Sequence, residues 1–488
     1  MTQTIRPGKL AGRARIPASK SHTIRALLIA TLADGRSALR NPLDSLDTSA
    51  CVRACRALGA SVEEVRSDGL LTGIIVEGTA GELTVPENVV DVGNSGTTLY
   101  LGIGTAALAG GLTVFTGDEQ IRRRSAAPLL SALAQLGATA LSTRGSGCAP
   151  IVTGGGLHCG PVAIESPTSQ YLSSLLLAAP LAAPAATTAA AAAGGPGTAA
   201  ENPGAATDID VLLINERPYV EMTLWWLDSQ GIRYEREGYD RFRIPGGQRY
   251  RAFDSPIPAD FSSATFLACA AAITGSTLTL EGLDMSDPQG DKAVLGILAE
   301  MGCTVEEGDG AVTVTGPQKA FNEDAGFARA ALSGGTFDLN AIPDALPALA
   351  VTACFAREPV ELSNVPQARA KETDRVAVMA AELGRMGARV EELPDGLRVL
   401  PRAGGGGSAP EAPAPTTPTA PPLIGARVHG HGDHRVVMAL AVAGLGAAGE
   451  TTVDTAVAAA VTFPGFFEVL RSLGASIEQG DAGAEDIS

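Results

Sequence analysis

The chain has 488 residues, 45% of them hydrophobic, with aromatics sparse at 4% and a formal net charge of −17 at pH 7. That length and apolar content predict two or more domains with cores of small and branched aliphatic side chains. The acidic balance excludes the basic face that a nucleic-acid binder or a membrane-surface protein needs, but not anionic small molecules, which local arginines, lysines and helix N-termini can hold. The seven cysteines (Cys51, Cys55, Cys148, Cys159, Cys269, Cys303 and Cys354) include no CxxC pair. Cys51 and Cys55 stand one helical turn apart, with no histidine or second pair to complete a metal set, so buried reduced thiols and no metal are expected. Met1 to Leu10 lacks the apolar core of a signal peptide. The alanine-rich run after Tyr171 is broken by Pro180, Pro184, Gly194, Gly195 and Pro196, too interrupted to span a bilayer. A soluble, cytoplasmic protein is expected.

In chain order, two phrases alternate. Ser19 to Thr23 is a polar cluster that runs into the apolar Ala26-Leu27-Leu28-Ile29-Ala30, which reads as a capped, buried helix. Ala57-Leu58-Gly59 then ends a helix, and Ser61-Val62-Glu63 alternates as a strand. The cluster returns at Asn94 to Thr98 and the glycine stop at Gln135 to Ala138. They return again at Ser166 to Gln170 and at Ser229 to Ile232. Asp260 to Ser263 and Glu300 to Val305 follow, then Ile342 to Asp344 and Arg385 to Val390. Gly432 to Arg435 and Ser472 to Ile477 close the series. Each phrase occurs six times, at a spacing too long for a solenoid and suited to a small α/β unit. Two stretches interrupt the pattern, 181–207 and 402–422, rich in Ala, Gly, Pro and Thr. They read as flexible surface insertions.

Several segments carry more charge than capping needs. Lys20-Ser21-His22-Thr23-Ile24-Arg25, Gly93-Asn94-Ser95-Gly96-Thr97, Ser169-Gln170-Tyr171-Leu172-Ser173, Ile342-Pro343-Asp344, Lys371-Glu372-Thr373-Asp374-Arg375, Asp433-His434-Arg435 and Thr462-Phe463-Pro464 closely resemble the signature segments of the EPSP synthase family of enolpyruvyltransferases. They stand in the family's order and span nearly the whole chain. The resemblance implies an α/β, two-domain enolpyruvyltransferase fold. Each domain would be three βαβαββ units forming an inside-out α/β barrel, with two hinge strands joining the domains. The expected domains are 19–257 and 1–18 plus 258–488, the former on the shikimate 3-phosphate side.

The implied reaction moves the enolpyruvyl group of phosphoenolpyruvate onto the 5-hydroxyl of shikimate 3-phosphate, a step of chorismate and aromatic amino acid biosynthesis. It needs no cofactor, and a monomer is expected. By resemblance, Lys20, Ser21, Arg25, Thr168, Ser169, Gln170, Tyr219, Asp344, Gln367 and Lys371 hold shikimate 3-phosphate. Lys20, Gly96, Arg124, Gln170, Arg375 and Arg435 hold phosphoenolpyruvate. Asp344, Glu372 and Lys20 are the candidates for proton transfer.

Four departures from the family's pattern stand out. Val461 stands where a lysine precedes Thr-Phe-Pro, and Tyr100-Leu101 replaces Arg-Pro. Ser125 replaces a proline, and Gln367 an asparagine. Two other readings compete. One is the related UDP-N-acetylglucosamine enolpyruvyltransferase, whose loop before its active-site arginine carries a reactive cysteine; Gly117 to Ser125 has none. The other is a catalytically weak ligand-binding homologue, suggested by Val461.

Overall fold

The same four-stranded sheet is built six times along the chain. In the computed structural model, which describes residues 1–184, 205–402 and 420–480, every copy has one parallel pair followed by two antiparallel pairs. Three copies lie in one compact unit, Ala18–Ile257. The other three lie in a second unit, made of Met1–Pro17 and Pro258 onward. The first is here called the inserted unit and the second the split unit. The chain passes between them twice, after Pro17 and after Ile257.

In the inserted unit the strand 36–40 pairs in parallel with 254–256 and antiparallel with 70–77, which carries 61–67 at the edge. The other two sheets follow the same plan, in the orders 90–91, 112–116, 151–154, 139–142 and 161–166, 206–214, 241–245, 235–237. In the split unit the N-terminal strands join sheets whose other members come much later in the chain. Thr2–Ile5 pairs with 451–453 and 477–480, and Ala11–Arg15 with 277–281.

Each repeat supplies two helices. In the inserted unit these are α1 (Lys20–Leu32), α2 (Leu46–Ala57), α3 (Gly96–Ala106), α4 (Ala127–Gln135), α5 (Ser169–Ala178) and α6 (Arg217–Ser229). In the split unit they are α7 (Phe261–Thr274), α8 (Ala293–Glu300), α9 (Leu346–Ala353), α10 (Arg375–Arg385), α11 (His434–Gly446) and α12 (Phe466–Ser472). The odd-numbered helices from α1 to α11 are buried on nearly every face; α3, α7, α9 and α11 are buried at every residue. Small residues let them approach. A methyl group on Gly104 of α3 would fall 2.2 Å from Ser174 Oγ of α5. Helices without an outward polar face need a hydrophobic neighbour all round: α3 packs on α1 and α5, and α7, α9 and α11 pack on one another.

The glycine stops behave as the sequence predicts. Gly59, Gly137, Gly231, Gly302, Gly387 and Gly474 all have φ between 66° and 107°, the left-handed region that ends a helix cheaply. Of the six polar clusters, four cap through a side chain: Ser19, Ser95, Asp260 and Asp433 each accept an N–H of the first turn. The other two do not. Asp344 sits in a 3-10 turn, Pro343–Ala345, and Thr168 makes no side-chain cap to α5.

Most of the two stretches read as insertions, 185–204 and 403–419, lies outside the described residues. Their margins belong to regular structure. Leu181 closes the 3-10 turn Ala179–Leu181, and the strand Ala206–Ile214 reaches back into the first stretch because buried Thr207 continues the alternation of Ile209 and Val211. All seven cysteines are free thiols, and all but Cys148 are buried.

Candidate active site

Several of the residues singled out from the sequence fall at the starts of helices. Lys20 opens α1, and its Nζ lies 3.4 Å from the carboxylate of Asp47, which is itself 4% exposed at the start of α2. One turn further on, Arg25 is 1% exposed. Its Nε donates to Thr223 Oγ1 at 2.8 Å and its Nη1 to the Ser21 carbonyl at 3.0 Å. Its Nη2 donates to Ser173 Oγ and to the Tyr219 carbonyl. All four partners are neutral oxygens. Burial therefore pulls the guanidinium down to about 10, with Tyr219 and Glu216 partly offsetting it. Arg25 stays cationic at neutral pH, and an arriving anion meets a charge already stripped of water.

Gly96 is the first residue of α3. A methyl group there would stand 2.7 Å from Arg124 Nη1, so the absent side chain is what lets that guanidinium lie against the helix start. The residue after Arg124 is tied down by one of the departures from the family pattern, Tyr100, together with Tyr171. Tyr100 of α3 and Tyr171 of α5 meet edge to face, with ring centroids 5.1 Å apart. Both hydroxyls donate to the carbonyl of Ser125, the residue after Arg124.

At the start of α5, Thr168 and Ser169 receive an unexpected partner. The carboxylate of Glu216, 1% exposed, accepts from Thr168 Oγ1 at 3.0 Å and Ser169 N at 3.0 Å. It also accepts from Ser169 Oγ at 2.8 Å. Glu216 adopts φ 58°, ψ 40°, a left-handed conformation that costs a non-glycine residue about 1 kcal/mol or more. Next along α5, Gln170 Oε1 is buried without a hydrogen-bond partner among the described residues.

In the split unit the acidic and basic candidates form one network. Arg375, 1% exposed, donates through Nη1 to Asp344 Oδ1 at 2.8 Å and through Nη2 to Glu372 Oε2. Its Nε and Nη2 also hold both oxygens of the fully buried Asp433, at 2.8 and 3.1 Å. Arg435 Nη2 reaches Asp344 Oδ2 at 2.9 Å and Ser262 Oγ at 3.0 Å, and Lys371 Nζ lies 4.0 Å from Asp344 Oδ1. Three cations thus meet three carboxylates. Burial alone would push the Asp433 carboxyl up; Arg375 more than offsets this and holds it below the usual range. Burial likewise works against the charge on Arg375, and Asp433, Glu372 and Asp344 hold its guanidinium above its ordinary value. Gln367 donates to the Asn340 carbonyl at 2.9 Å, and its Oε1 is buried without a hydrogen-bond partner among the described residues. Val461 is half-buried at the end of a 3-10 helix, Ala456–Val461, that packs on α11.

The structure thus gathers Asp344, Glu372, Lys371, Arg375 and Arg435 in the split unit. In the inserted unit it joins Arg25 to the backbone of Ser21 and Tyr219, and sets Gly96 beside Arg124. Two participants escaped the sequence reading. Asp433 was legible as a cap but not as the counter-ion of Arg375, and Glu216 carried no motif at all. Among the described residues, no group of three or more His, Cys, Asp or Glu side chains could hold a metal ion, and no helix is long and apolar enough to cross a membrane.

Comparison with known proteins converges on one family. The family model described as EPSP synthase (3-phosphoshikimate 1-carboxyvinyltransferase) matches residues 5–196 and 198–470. A protein of Acetivibrio thermocellus named 3-phosphoshikimate 1-carboxyvinyltransferase is 47% identical over 477 residues, covering 98% of this chain and 99% of its own. One of the same name from Methanosarcina acetivorans is 38% identical over 486 residues, covering 98% and 99%. Among solved structures, an EPSP synthase from Acinetobacter baumannii superposes with a TM-score of 0.73 at 25% identity, covering 98% of this chain and all of its own.

Proposed function

The chain belongs to the EPSP synthase (3-phosphoshikimate 1-carboxyvinyltransferase) family, and we propose a division of labour for the reaction that membership assigns it. That reaction is transfer of the enolpyruvyl group of phosphoenolpyruvate to the 5-hydroxyl of shikimate 3-phosphate, with release of inorganic phosphate. The protein acts as a cytoplasmic monomer in the route to chorismate.

Shikimate 3-phosphate carries one phosphate and one carboxylate. The N-terminus of α5, with Thr168 and Ser169, suits the phosphate, because a backbone N–H and two hydroxyls converge there on one anionic oxygen, that of Glu216, at the positive end of a helix dipole. Arg25, buried among neutral oxygens, suits the carboxylate. Lys20, Ser21, Gln170, Tyr219, Gln367 and Lys371 complete this substrate's contacts. Lys20, Gly96, Arg124, Gln170, Arg375 and Arg435 receive phosphoenolpyruvate.

In the addition step the 5-oxygen bonds to C2 of phosphoenolpyruvate. Asp344 takes the hydroxyl proton, and Glu372 gives a proton to the methylene carbon. In the elimination step the C2–O bond to phosphate breaks and the methyl carbon returns a proton to Glu372. Lys20 gives a proton to the departing phosphate oxygen and is recharged by the proton that Asp344 took, so the hydroxyl proton leaves with inorganic phosphate. One observation carries the assignment: Arg375 binds Asp344 and Glu372 at once, so the two carboxylates are fixed relative to each other by one buried guanidinium. Their titrations belong to the cluster as a whole.

The test is phosphate release with both substrates and with each omitted. Wild type should release phosphate only when both are present. Asp344→Asn and Glu372→Gln should each lower kcat by at least about a hundredfold while shikimate 3-phosphate still binds. Near wild-type turnover in either variant removes that residue from the proton transfers.

A further inference from the structure

We propose that Glu216 is an internal anion seated in the substrate's phosphate position, which must leave or be neutralised before shikimate 3-phosphate binds fully. The inference rests on the assignment of Thr168 and Ser169 to that phosphate.

It follows from counting protons. A hydroxyl has one hydrogen to donate, and a backbone amide has one. Thr168 Oγ1, Ser169 Oγ and Ser169 N all direct theirs to Glu216 Oε2. A phosphate dianion brings acceptors and no donors, so it cannot share these three hydrogens with an ionised carboxylate. Two anions at one helix start also repel, and in a buried place that repulsion is little screened. Glu216 itself is 1% exposed. The start of α5 is therefore already satisfied as an anion site, with the protein's own carboxylate as the occupant.

The same turn bears on the second anchor of the substrate. Tyr219 N donates to the Glu216 carbonyl at 3.0 Å, and the Tyr219 carbonyl accepts from Arg25 Nη2 at 3.1 Å. Movement of Glu216 is transmitted through Tyr219 to the cation assigned to the substrate's carboxylate. Phosphate entry and the seating of Arg25 are thus linked, and Glu216 acts as a specificity device: a ligand without the phosphate leaves it in place.

The experiment compares wild type, Glu216→Gln and Glu216→Ala by calorimetric titration with shikimate 3-phosphate and with shikimate. Thermal melting checks that each variant is folded. Loss of the carboxylate should tighten shikimate 3-phosphate binding by about tenfold and leave shikimate unchanged. Unchanged or weaker shikimate 3-phosphate binding in Glu216→Gln overturns the proposal and makes Glu216 a structural cap. Equal tightening of both ligands overturns it too, because the effect would not need the phosphate. If Glu216→Ala fails to fold, the near-isosteric Glu216→Gln decides alone. Ser169→Ala separates this outcome from failure of the site assignment. If that variant binds shikimate 3-phosphate as wild type does, the phosphate is not at α5, and the proposal falls with the assignment.

Discussion

Arg375 grips Asp433 with two nitrogens, Nε and Nη2, on the two carboxylate oxygens, and both side chains are almost wholly buried. The same carboxylate accepts from Thr373 Oγ1 at 3.1 Å and from the Arg435 amide at 2.9 Å, which caps α11. Removing its charge leaves the buried guanidinium with two of its three carboxylate partners and without the bidentate one. Asp433→Asn should therefore destabilise the protein by about 3–5 kcal/mol near neutral pH. Asp433 is held below its ordinary value, so its contribution is present above the unfolded carboxyl range, near pH 4, and is lost as pH falls through the folded value. Urea unfolding of wild type and variant should show a gap that closes as pH falls below about 4. A gap that stays constant with pH would show that charge is not the cause.

Gly96→Ala should displace Arg124, because the new methyl group would overlap its Nη1. The KM for phosphoenolpyruvate should rise by about tenfold to a hundredfold, with little change in the KM for shikimate 3-phosphate. Equal rises in both constants would mean that α3 itself had moved.

Tyr171→Phe keeps the ring against Tyr100 and deletes one donor to the Ser125 carbonyl. It should cost about 1 kcal/mol and raise the phosphoenolpyruvate KM a few-fold through the neighbouring Arg124. Burial, reinforced by Tyr100, raises the Tyr171 phenol above its usual range. Its stabilisation is thus full below the unfolded value near 10 and is lost as pH rises beyond that toward the folded value. Between pH 9 and 11, roughly, wild type should lose more stability than the variant. Parallel loss in both proteins would exclude Tyr171 from that transition.

Val461→Lys should restore the cation that the family places before Thr-Phe-Pro. Val461 is half-buried, so a lysine stem can lie along the apolar surface with its ammonium outward. The phosphoenolpyruvate KM should fall by about tenfold, as expected for one charged hydrogen bond, and the gain should shrink at high salt. A lower melting temperature without a lower KM would mark Val461 as an ordinary packing residue.

What the sequence revealed, and what it hid, divides by range. The glycine stops and four of the six caps depend on residues within a turn of each other, so composition and order are enough to find them. Asp344 breaks that rule: it reads as a cap, but two arginines from other segments claim both its oxygens. Glu216 takes its donors from residues 47 and 48 positions away, and Asp433 meets Arg375 across 58. No local pattern marks a carboxylate for a partner at that distance; only the sheet order brings the segments together. The tyrosines at 100 and 171 show the same limit. As sequence, Tyr100 reads only as a lost arginine. In the structure it and Tyr171 are the two supports of the Ser125 carbonyl.

The way the chain leaves the split unit after Pro17 and returns at Pro258 dictates an order of events at the ribosome. Ala18–Ile257 holds all the strands of its own three sheets, so it can be complete while the rest is still unmade. Thr2–Ile5 is synthesised ahead of that unit, yet both its partners, 451–453 and 477–480, follow only after it. Contacts so distant in sequence form slowly, and the waiting strand exposes backbone groups to any edge it meets. A stalled chain ending near residue 300 should therefore contain a protease-resistant core from 18–184 and 205–257, with a cleavable N-terminal arm. Protection of that arm in the stalled chain would mean that it finds a shelter other than its final sheet.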